Sequence, residues 1–575
     1  MRGNLIPHQH NFAAHSHIIK IMNRTNKAKV LQFNKDADFY LDMAEELIEK
    51  GKYINALTPI RRAVQIDGGE ESRLRYAELY FLMEQYEMSA LLYFKMLAKN
   101  HKLSDCYYGL GQNYYYLSNL EACLHNLNIF MTQNPDAEET YDAEDLINEF
   151  ESSNFYEGYK LVHPIEECDF SETITSAQEL ITSGAYLEAI KIYNEIPQTS
   201  NLYILAQNSM AFCYIMLQNY MDANYISSKV LKLDDNNIFA LCNLVITLHH
   251  LKMQSECDKN LIKLLNIETT SLSELFKIAN TLCEIKRHES VYVYFNKMLT
   301  VKPYDLSILF LTAICCYNCK KFDEAKEHLR TILKIDENDY LAEYYLKFVT
   351  RVVKENDKSQ NFEYLNYDFN LPLGIVIERI HRVNTLKLAD KDYIKKQYET
   401  DNDFKNFLNW AFSYKPATAI ETIKVLTSCG INLDDKISDI LLSVKPNITL
   451  KKEIIAFKIF NQTETEIAYT FEGALKFLRP KFVSDFKLLP ETFKSVYSLS
   501  YATLAFIADS FEVDFFKTFK KAREIFKEDE KLNIKALAAV ITYKVSPKIF
   551  PQKKYLCKLF EVSVGEYNKY LKRME

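Results

Sequence analysis

The chain has 575 residues, of which 48% are hydrophobic, so it is long enough to bury several cores. Its 12 glycines and 13 prolines are too few for the many tight turns of an all-β protein, and no apolar run approaches the roughly 18 residues of a transmembrane helix. The modest net charge of −7 and cysteines without framework spacing exclude a disulfide-stapled secreted domain. We therefore expect a cytoplasmic protein with reduced thiols.

The first 35 residues are polar and are predicted to be a disordered tail. They lack the compact apolar core of a secretory signal. Four histidines form two His-x-His pairs that could chelate a transition metal, namely His8, His10, His15 and His17. A low-complexity polar tail is the favoured interpretation, so no metal is predicted. Met22 offers an alternative start of translation.

The clearest pattern in the chain is Ser104–Pro135, which divides into two amphipathic helices. Gly111 lies on the packing face of the first helix and allows a close neighbour, and the small Cys123 lies at the helix crossing. The order of aromatic, Leu-Gly, Tyr, small residue, large apolar residue and Pro resembles the tetratricopeptide repeat, whose period is about 34 residues. One such helix pair cannot bury its own apolar faces, so copies are expected on both sides.

Similar patterns begin at Ala37 and Glu70, which gives a first block of three repeats over residues 36–136, called block 1. Block 2, residues 170–353, is predicted to hold five repeats and a capping helix. Its repeats begin near Phe170, Ile204, Ile238, Leu272 and Leu306. The resemblance implies a right-handed all-α superhelix. Residues 137–169 are strongly acidic and predict a half repeat with a solvated spacer, although a basic partner could bind there.

The repeat period disappears after the polar stretch Lys354–Asn361. Residues 362–575 are predicted to form a helical domain of unknown type, with helices at 417–426, 454–460, 468–478, 498–511 and 534–545. This region has more Lys and Arg than Asp and Glu, whereas the front of the chain is acidic. The asymmetry favours a separate domain.

The resemblance implies that the first helix of each repeat lines a concave binding wall. Aromatic anchors and amides on that wall suit an extended or helical peptide. The predicted partner-binding residues are Tyr108, Gln112, Tyr115, Tyr116, Asn208, Phe212, Phe276, Asn280, Phe310, Tyr317 and Asn318. The competing interpretation is that several of them pack against a neighbouring helix or the C-terminal domain. Glu45 and Glu78 occupy positions where related co-chaperones grip a carboxylate, which disfavours that mode.

Sequence signals for catalysis are missing. There is no Gly-rich phosphate loop, HExxH motif or nucleophile elbow. Cys315, Cys316 and Cys319 form a single cluster on a predicted helix, whereas zinc sites usually pair two clusters. We therefore predict neither an enzyme nor a cofactor.

The chain end, Lys553–Arg573, resembles a bacterial helix-turn-helix. The residues that could contact DNA are Lys553, Lys554, Lys558, Asn568, Lys569, Lys572 and Arg573. The turn carries Glu561 where Gly is usual, and a terminal helical hairpin in a core is the simpler interpretation. The sequence therefore predicts a scaffold that binds a protein or peptide, without catalysis or a membrane. The alternative is a regulator that senses a peptide and binds DNA. The oligomeric state stays open.

Overall fold

The computed structural model describes residues 36–152, 169–355, 362–445, 448–463, 465–508, 510–526, 532–549 and 553–575. The expected N-terminal tail and much of the acidic spacer lie outside these ranges. The predicted all-α architecture is confirmed, since helices dominate every part of the chain that is described. None of the helices in these ranges is long and apolar enough to cross a bilayer.

Block 1 consists of three antiparallel helix pairs. Its helices are α1 Ala37–Glu49, α2 Tyr53–Ile66, α3 Glu70–Leu82, α4 Tyr86–Leu97, α5 Ser104–Tyr116 and α6 Leu120–Gln133. Gly111 allows the close approach that the sequence predicted, because a Cβ there would lie 2.2 Å from Leu127 Cδ2. The acidic stretch begins with one helix, α7 Glu138–Ser152.

Block 2 continues the pairing with five further pairs and a single helix. Its helices are α8 Asp169–Thr182, α9 Tyr186–Tyr193, α10 Tyr203–Met216, α11 Tyr220–Leu233, α12 Ile238–His250, α13 Gln254–Leu265, α14 Leu272–Glu284, α15 His288–Val301, α16 Leu306–Asn318, α17 Phe322–Ile335 and α18 Tyr340–Glu355.

The turn inside each helix pair has one residue in the left-handed region. These residues are Gly51, Glu84, Ser118, Gly184, Gln218, Lys252, Lys286 and Lys320, with φ between 56° and 79°. Each amide N–H of this turn returns to a carbonyl in the last turn of the first helix, for example Lys320 N to Tyr317 O at 2.9 Å. The same turn in all eight pairs shows that they are copies of one structural unit.

The C-terminal region packs around one aromatic-rich core that includes the fully buried Trp410 and Tyr497. Its helices are α19 Leu373–Leu386, α20 Lys391–Thr400, α21 Asn402–Tyr414, α22 Pro416–Ser428, α23 Asp434–Leu442, α24 Ile448–Phe460, α25 Glu491–Ile507, α26 Glu512–Ile525, α27 Ile534–Val545, α28 Lys553–Phe560 and α29 Val564–Met574. A 3-10 turn, Phe486–Leu488, precedes α25.

The predicted helix at 468–478 is wrong, because this stretch is a β-hairpin. Strands β1 Ile467–Phe471 and β2 Ala474–Leu478 pair antiparallel, with Ile467 opposite Leu478. Glu472 and Gly473 form the two-residue turn with φ of 49° and 77°, as hairpin turns of this length require. Ile467 and Tyr469 alternate into the core, which is the period of a strand.

Block 1 touches both of the other parts of the chain. On one side, the Arg61 guanidinium donates to the Ile335 carbonyl at 2.8 Å and Tyr80 OH to the same oxygen at 2.9 Å, which joins α2 and α3 to α17. On the other side, Asn126 Nδ2 donates to the Gly473 carbonyl at 3.1 Å. The tip of the hairpin therefore rests on α6, and the C-terminal region is docked on block 1.

Candidate peptide-binding groove

The first helices α10, α12 and α14 form an open stretch of wall in block 2, which we call the open groove. Phe212, Ile246 and Asn280 lie partly or fully exposed there, and Phe276 is 42% exposed. Ile215 and Met216 extend the apolar surface along α10. These side chains leave an apolar and amide-bearing surface at least partly exposed on the three helices.

A buried polar ladder forms the floor of the open groove. Asn243 Nδ2 donates to the Asn208 carbonyl at 3.1 Å, and Lys277 Nζ donates to Asn243 Oδ1 at 2.8 Å. Lys277 Nζ also lies 5.5 Å from the centre of the Phe212 ring. Burial lowers the pKa of Lys277. The ladder cross-links three successive repeats and fixes the wall behind the aromatic side chains.

His249 and His250 are placed at the end of α12 with their rings nearly perpendicular. His250 stacks on Tyr220 and its Nε2 lies 3.0 Å from Glu284 Oε1. Burial lowers the pKa of His249. Across the residues that the structure covers, no three His, Cys, Asp or Glu side chains converge on a metal position.

The wall beyond α14 is covered by the chain itself. Residues 362–371, FEYLNYDFNL, lie across α16 without regular secondary structure; we call them the resident segment. Asn318 holds its backbone from both sides, since Asn318 Nδ2 donates to Leu365 O at 2.9 Å and Leu365 N donates to Asn318 Oδ1 at 2.8 Å. Tyr345 OH donates to the Asn370 carbonyl at 2.9 Å.

Aromatic side chains of the resident segment interlock with those of the wall. Phe362 stacks on Tyr317 with ring centres 5.1 Å apart, and Phe369 lies 5.6 Å from Phe310. Tyr364 stacks on His288 at 4.9 Å. The Tyr367 hydroxyl lies 2.8 Å from His288 Nδ1, and burial strongly raises its pKa.

This arrangement corrects part of the predicted site. Phe310, Tyr317 and Asn318 are buried rather than free on the groove wall. They lie on the concave side of α16 as the repeat position implies, but the resident segment and α18 cover them. Phe212, Phe276 and Asn280 remain open, whereas Asn208 lies in the floor. The covering contact joins α16 to a segment more than 40 residues later, so repeat spacing gives no sign of it.

The predicted residues of block 1 form a separate aromatic patch. Tyr116 is exposed and stacks on Tyr86 at 4.9 Å, with Tyr115 edge-on beside it. Tyr108 packs on Phe130, and burial raises its pKa. Gln112 is partly buried one turn further along α5.

Glu45 and Glu78, whose positions disfavour the binding of a carboxylate, are paired with an arginine within the protein. Arg75 donates to the carboxylates of both Glu45 and Glu78. Burial raises the pKa of Glu78 against the opposing effect of Arg75. The Arg75 charge is therefore neutralised by these two carboxylates, so this wall is poorly suited to binding a further anion.

The cysteine cluster on α16 is structural. Cys315 and Cys316 are buried and free, and the Cys315 thiol lies 3.3 Å from the His288 carbonyl. Burial raises the pKa of the Cys316 thiol to about 12, so it stays protonated near neutral pH. Both side chains fill space between repeats.

The chain end does form two helices joined by a tight turn. Glu561 adopts the left-handed conformation at φ 54° in the turn where Gly is usual, and its carboxylate binds Lys535. Tyr567 and Leu571 are buried, and α29 packs on α27. All seven residues predicted to contact DNA are exposed, and the Arg573 guanidinium lies 4.2 Å from the centre of the Phe526 ring.

Comparisons with known proteins agree with the repeat geometry. A family model for the coatomer epsilon subunit matches residues 174–281. The TPR repeat-containing protein YvcD of Bacillus subtilis (strain 168) is 22% identical over 280 residues, which cover 48% of this chain and 56% of that relative. The chain thus spans little more than half of that relative's length.

Solved structures of low similarity also match. Yeast Tom70 has 9% identity and a TM-score of 0.27, with 93% of this chain and 99% of that chain covered. The TPR2AB domain of yeast Sti1, in complex with an HSP90 peptide, has 13% identity and a TM-score of 0.21, with 45% and 97% covered. The eight helix pairs with one recurring turn have the architecture of tetratricopeptide repeats, and the YvcD relative carries the same repeat in its name.

Proposed function

We propose that the chain binds an extended peptide of a partner protein in the open groove of α10, α12 and α14. One observation carries the proposal. The neighbouring wall at α16 holds an extended stretch of chain through a side-chain amide on its backbone and aromatic rings on its side chains. That is how a repeat wall of this composition holds a peptide.

The open groove continues the wall that holds the resident segment. Phe276 stands one repeat, 34 residues, before Phe310, which contacts Phe369 of the resident segment. Among the residues that the structure describes, no such segment covers Phe276, which exposes 42% of its surface. Asn280 beside it is exposed and offers an amide to a peptide backbone. A peptide that follows the groove would therefore meet an aromatic anchor at the position equivalent to Phe310, and an amide one turn further along α14.

Replacing both Phe212 and Phe276 with Ala is expected to abolish selection of peptides from a displayed random library. Each buried aromatic anchor in an interface contributes about 2 kcal/mol, so losing both should weaken the binding of a selected peptide by about 4 kcal/mol, roughly 1000-fold. The melting temperature should change little, because Phe212 and Phe276 are both at least partly exposed and neither is among the buried core residues.

The matched control is Val293→Ala on α15, where an equally exposed apolar residue lies on the second helix of the repeat. Peptides selected by the unmodified chain should bind this variant as before. Equal binding to the Phe212/Phe276 variant, or equal losses in both variants, would reject the open groove as the site.

A second candidate is DNA binding by α28 and α29, which is favoured by the exposure of Lys553, Lys554 and Lys558 beside the paired helices. Duplex DNA should then bind the full chain at low salt, with a steep loss of affinity as salt is raised. Absence of binding at low salt removes this candidate.

A cytoplasmic location also stays a prediction.

A further inference from the structure

The resident segment is held mainly by side-chain contacts. Within the described ranges, no backbone–backbone hydrogen bond joins residues 362–371 to another part of the chain. Tyr364 exposes 55% of its surface and Phe369 46%. Its backbone contacts are those donated or accepted by side chains, chiefly Asn318 and Tyr345. Side-chain contacts of this kind are typical of a bound peptide, whereas a core strand is held by backbone–backbone hydrogen bonds.

The helix that follows the resident segment gives it little further support. Leu373, Ile377 and Ile380 on the first turns of α19 are exposed apolar residues, whereas Val383 and Leu386 at its far end are buried. Leu371, the last residue of the segment, is buried in the C-terminal core and is its anchor on that side. Local opening of residues 362–370 would leave this anchor in place and break the ring contacts and side-chain hydrogen bonds described above.

The resident segment is richer in aromatic residues than a connection between two helices requires. Four aromatic residues fall within eight positions, and each contacts an aromatic side chain or a histidine of the repeats. A connection between two helices needs only length and polarity. The aromatic contacts therefore indicate a site on α16 that selects this chemistry.

We propose that the face of α16 is a second peptide site, occupied in this structure by the chain's own residues 362–371, and that a partner peptide with the same spacing of aromatic residues exchanges with it. The inference rests on the proposed peptide-binding function but concerns a different part of the wall. Since the segment is tethered, its effective concentration is in the millimolar range and it outcompetes weak ligands. Only a peptide that matches its aromatic pattern displaces it.

The test uses a fluorescein-labelled synthetic peptide, FEYLNYDFNL, and the full chain. In one variant, Phe362→Ser and Phe369→Ser weaken the tethered copy and leave the wall intact. We expect this variant to bind the free peptide about tenfold or more tightly than the unmodified chain does, because the competitor is weakened. Adding Asn318→Leu should abolish the binding, since it removes both backbone contacts.

Equal affinity of the two chains for the peptide, or binding that survives Asn318→Leu, would overturn the proposal. Exchange of the segment between two copies would be seen as a dimer of the unmodified chain and would also overturn it. Loss of open-groove binding in the Phe212/Phe276 variant is a separate result, so failure of the proposed function is recognised independently.

Hydrogen exchange of the unmodified chain gives a test that needs no variant. The amide of Leu365 should exchange by local opening, about 100-fold faster than the central amides of α16. If the Leu365 amide exchanges as slowly as the central amides of α16, the segment leaves the wall only on global unfolding. That result would contradict the proposal.

Discussion

Replacing Gly473 with Val is expected to destabilise the docking of the C-terminal region on block 1 by about 3 kcal/mol. Gly473 lies at the tip of the β-hairpin with φ 77°, and a Cβ there would stand 2.1 Å from Ala122 Cβ on α6. A side chain must strain the left-handed backbone, at about 1–2 kcal/mol, and force α6 away, at about 1–3 kcal/mol. Urea unfolding followed by circular dichroism measures the loss.

Gly430 provides the matched control for this substitution. It also has a left-handed backbone, with φ 75°, but an added Cβ would meet nothing within 4 Å. Gly430→Val should therefore show the backbone strain alone, about 1–2 kcal/mol. If the two variants lose the same stability, the hairpin tip does not press on α6 and the docked arrangement is wrong.

The second large effect concerns Lys451, which is buried on α24. Its Nζ donates to the Ser443 carbonyl at 2.7 Å, the Thr470 carbonyl at 2.9 Å and Thr470 Oγ1 at 2.6 Å. All three acceptors are neutral, and burial lowers the pKa of Lys451 to about 8. The neighbouring Lys452 donates to the Leu559 carbonyl, and its pKa is also lowered to about 8.

These lowered pKa values make stability depend on pH in a known direction. The unfolded chain holds the Lys451 proton up to its ordinary pKa of 10.5, whereas the folded chain releases it near pH 8. Between these values the unfolded state binds more protons, so the contribution of Lys451 to the free energy of unfolding rises with pH. It is fully present above pH 10.5 and is lost as the pH falls to about 8.

Lys451→Met should remove this rise. From pH 8 to pH 9.5, the stability of the unmodified chain relative to the variant should increase by about 1.5 kcal/mol. The difference between the two chains is the quantity to measure, because the buried thiols titrate equally in both. Lys445→Met, at an exposed lysine, is the control and should show no such increase. A flat difference between Lys451→Met and the unmodified chain would mean that Lys451 is solvated.

The repeats were predictable because they depend on local sequence. Each pair carries its own apolar faces and its own left-handed turn, so Ser104–Pro135 was enough to locate copies on both sides. The location of Phe276 on the first helix of its repeat was then predictable from its position in the unit.

Features that depend on distant contacts were not predictable from the repeat pattern. The sequence predicts a helix at 468–478 because the two short strands are apolar, and Gly473 alone marks the turn between them. The resident segment lies past the last repeat. It covers Phe310 and Tyr317 because the chain folds back onto α16. The aromatic run FEYLNYDFNL after a polar stretch was the available sign.

The most direct test of peptide binding in the open groove is site-specific photo-cross-linking. A benzophenone amino acid would replace Phe276 in one chain and Val293 in a second, and each would be irradiated with a library-selected peptide. The account predicts a covalent adduct at position 276 that excess unlabelled peptide prevents, and none at position 293. Cross-linking at 293 but not at 276 would contradict it.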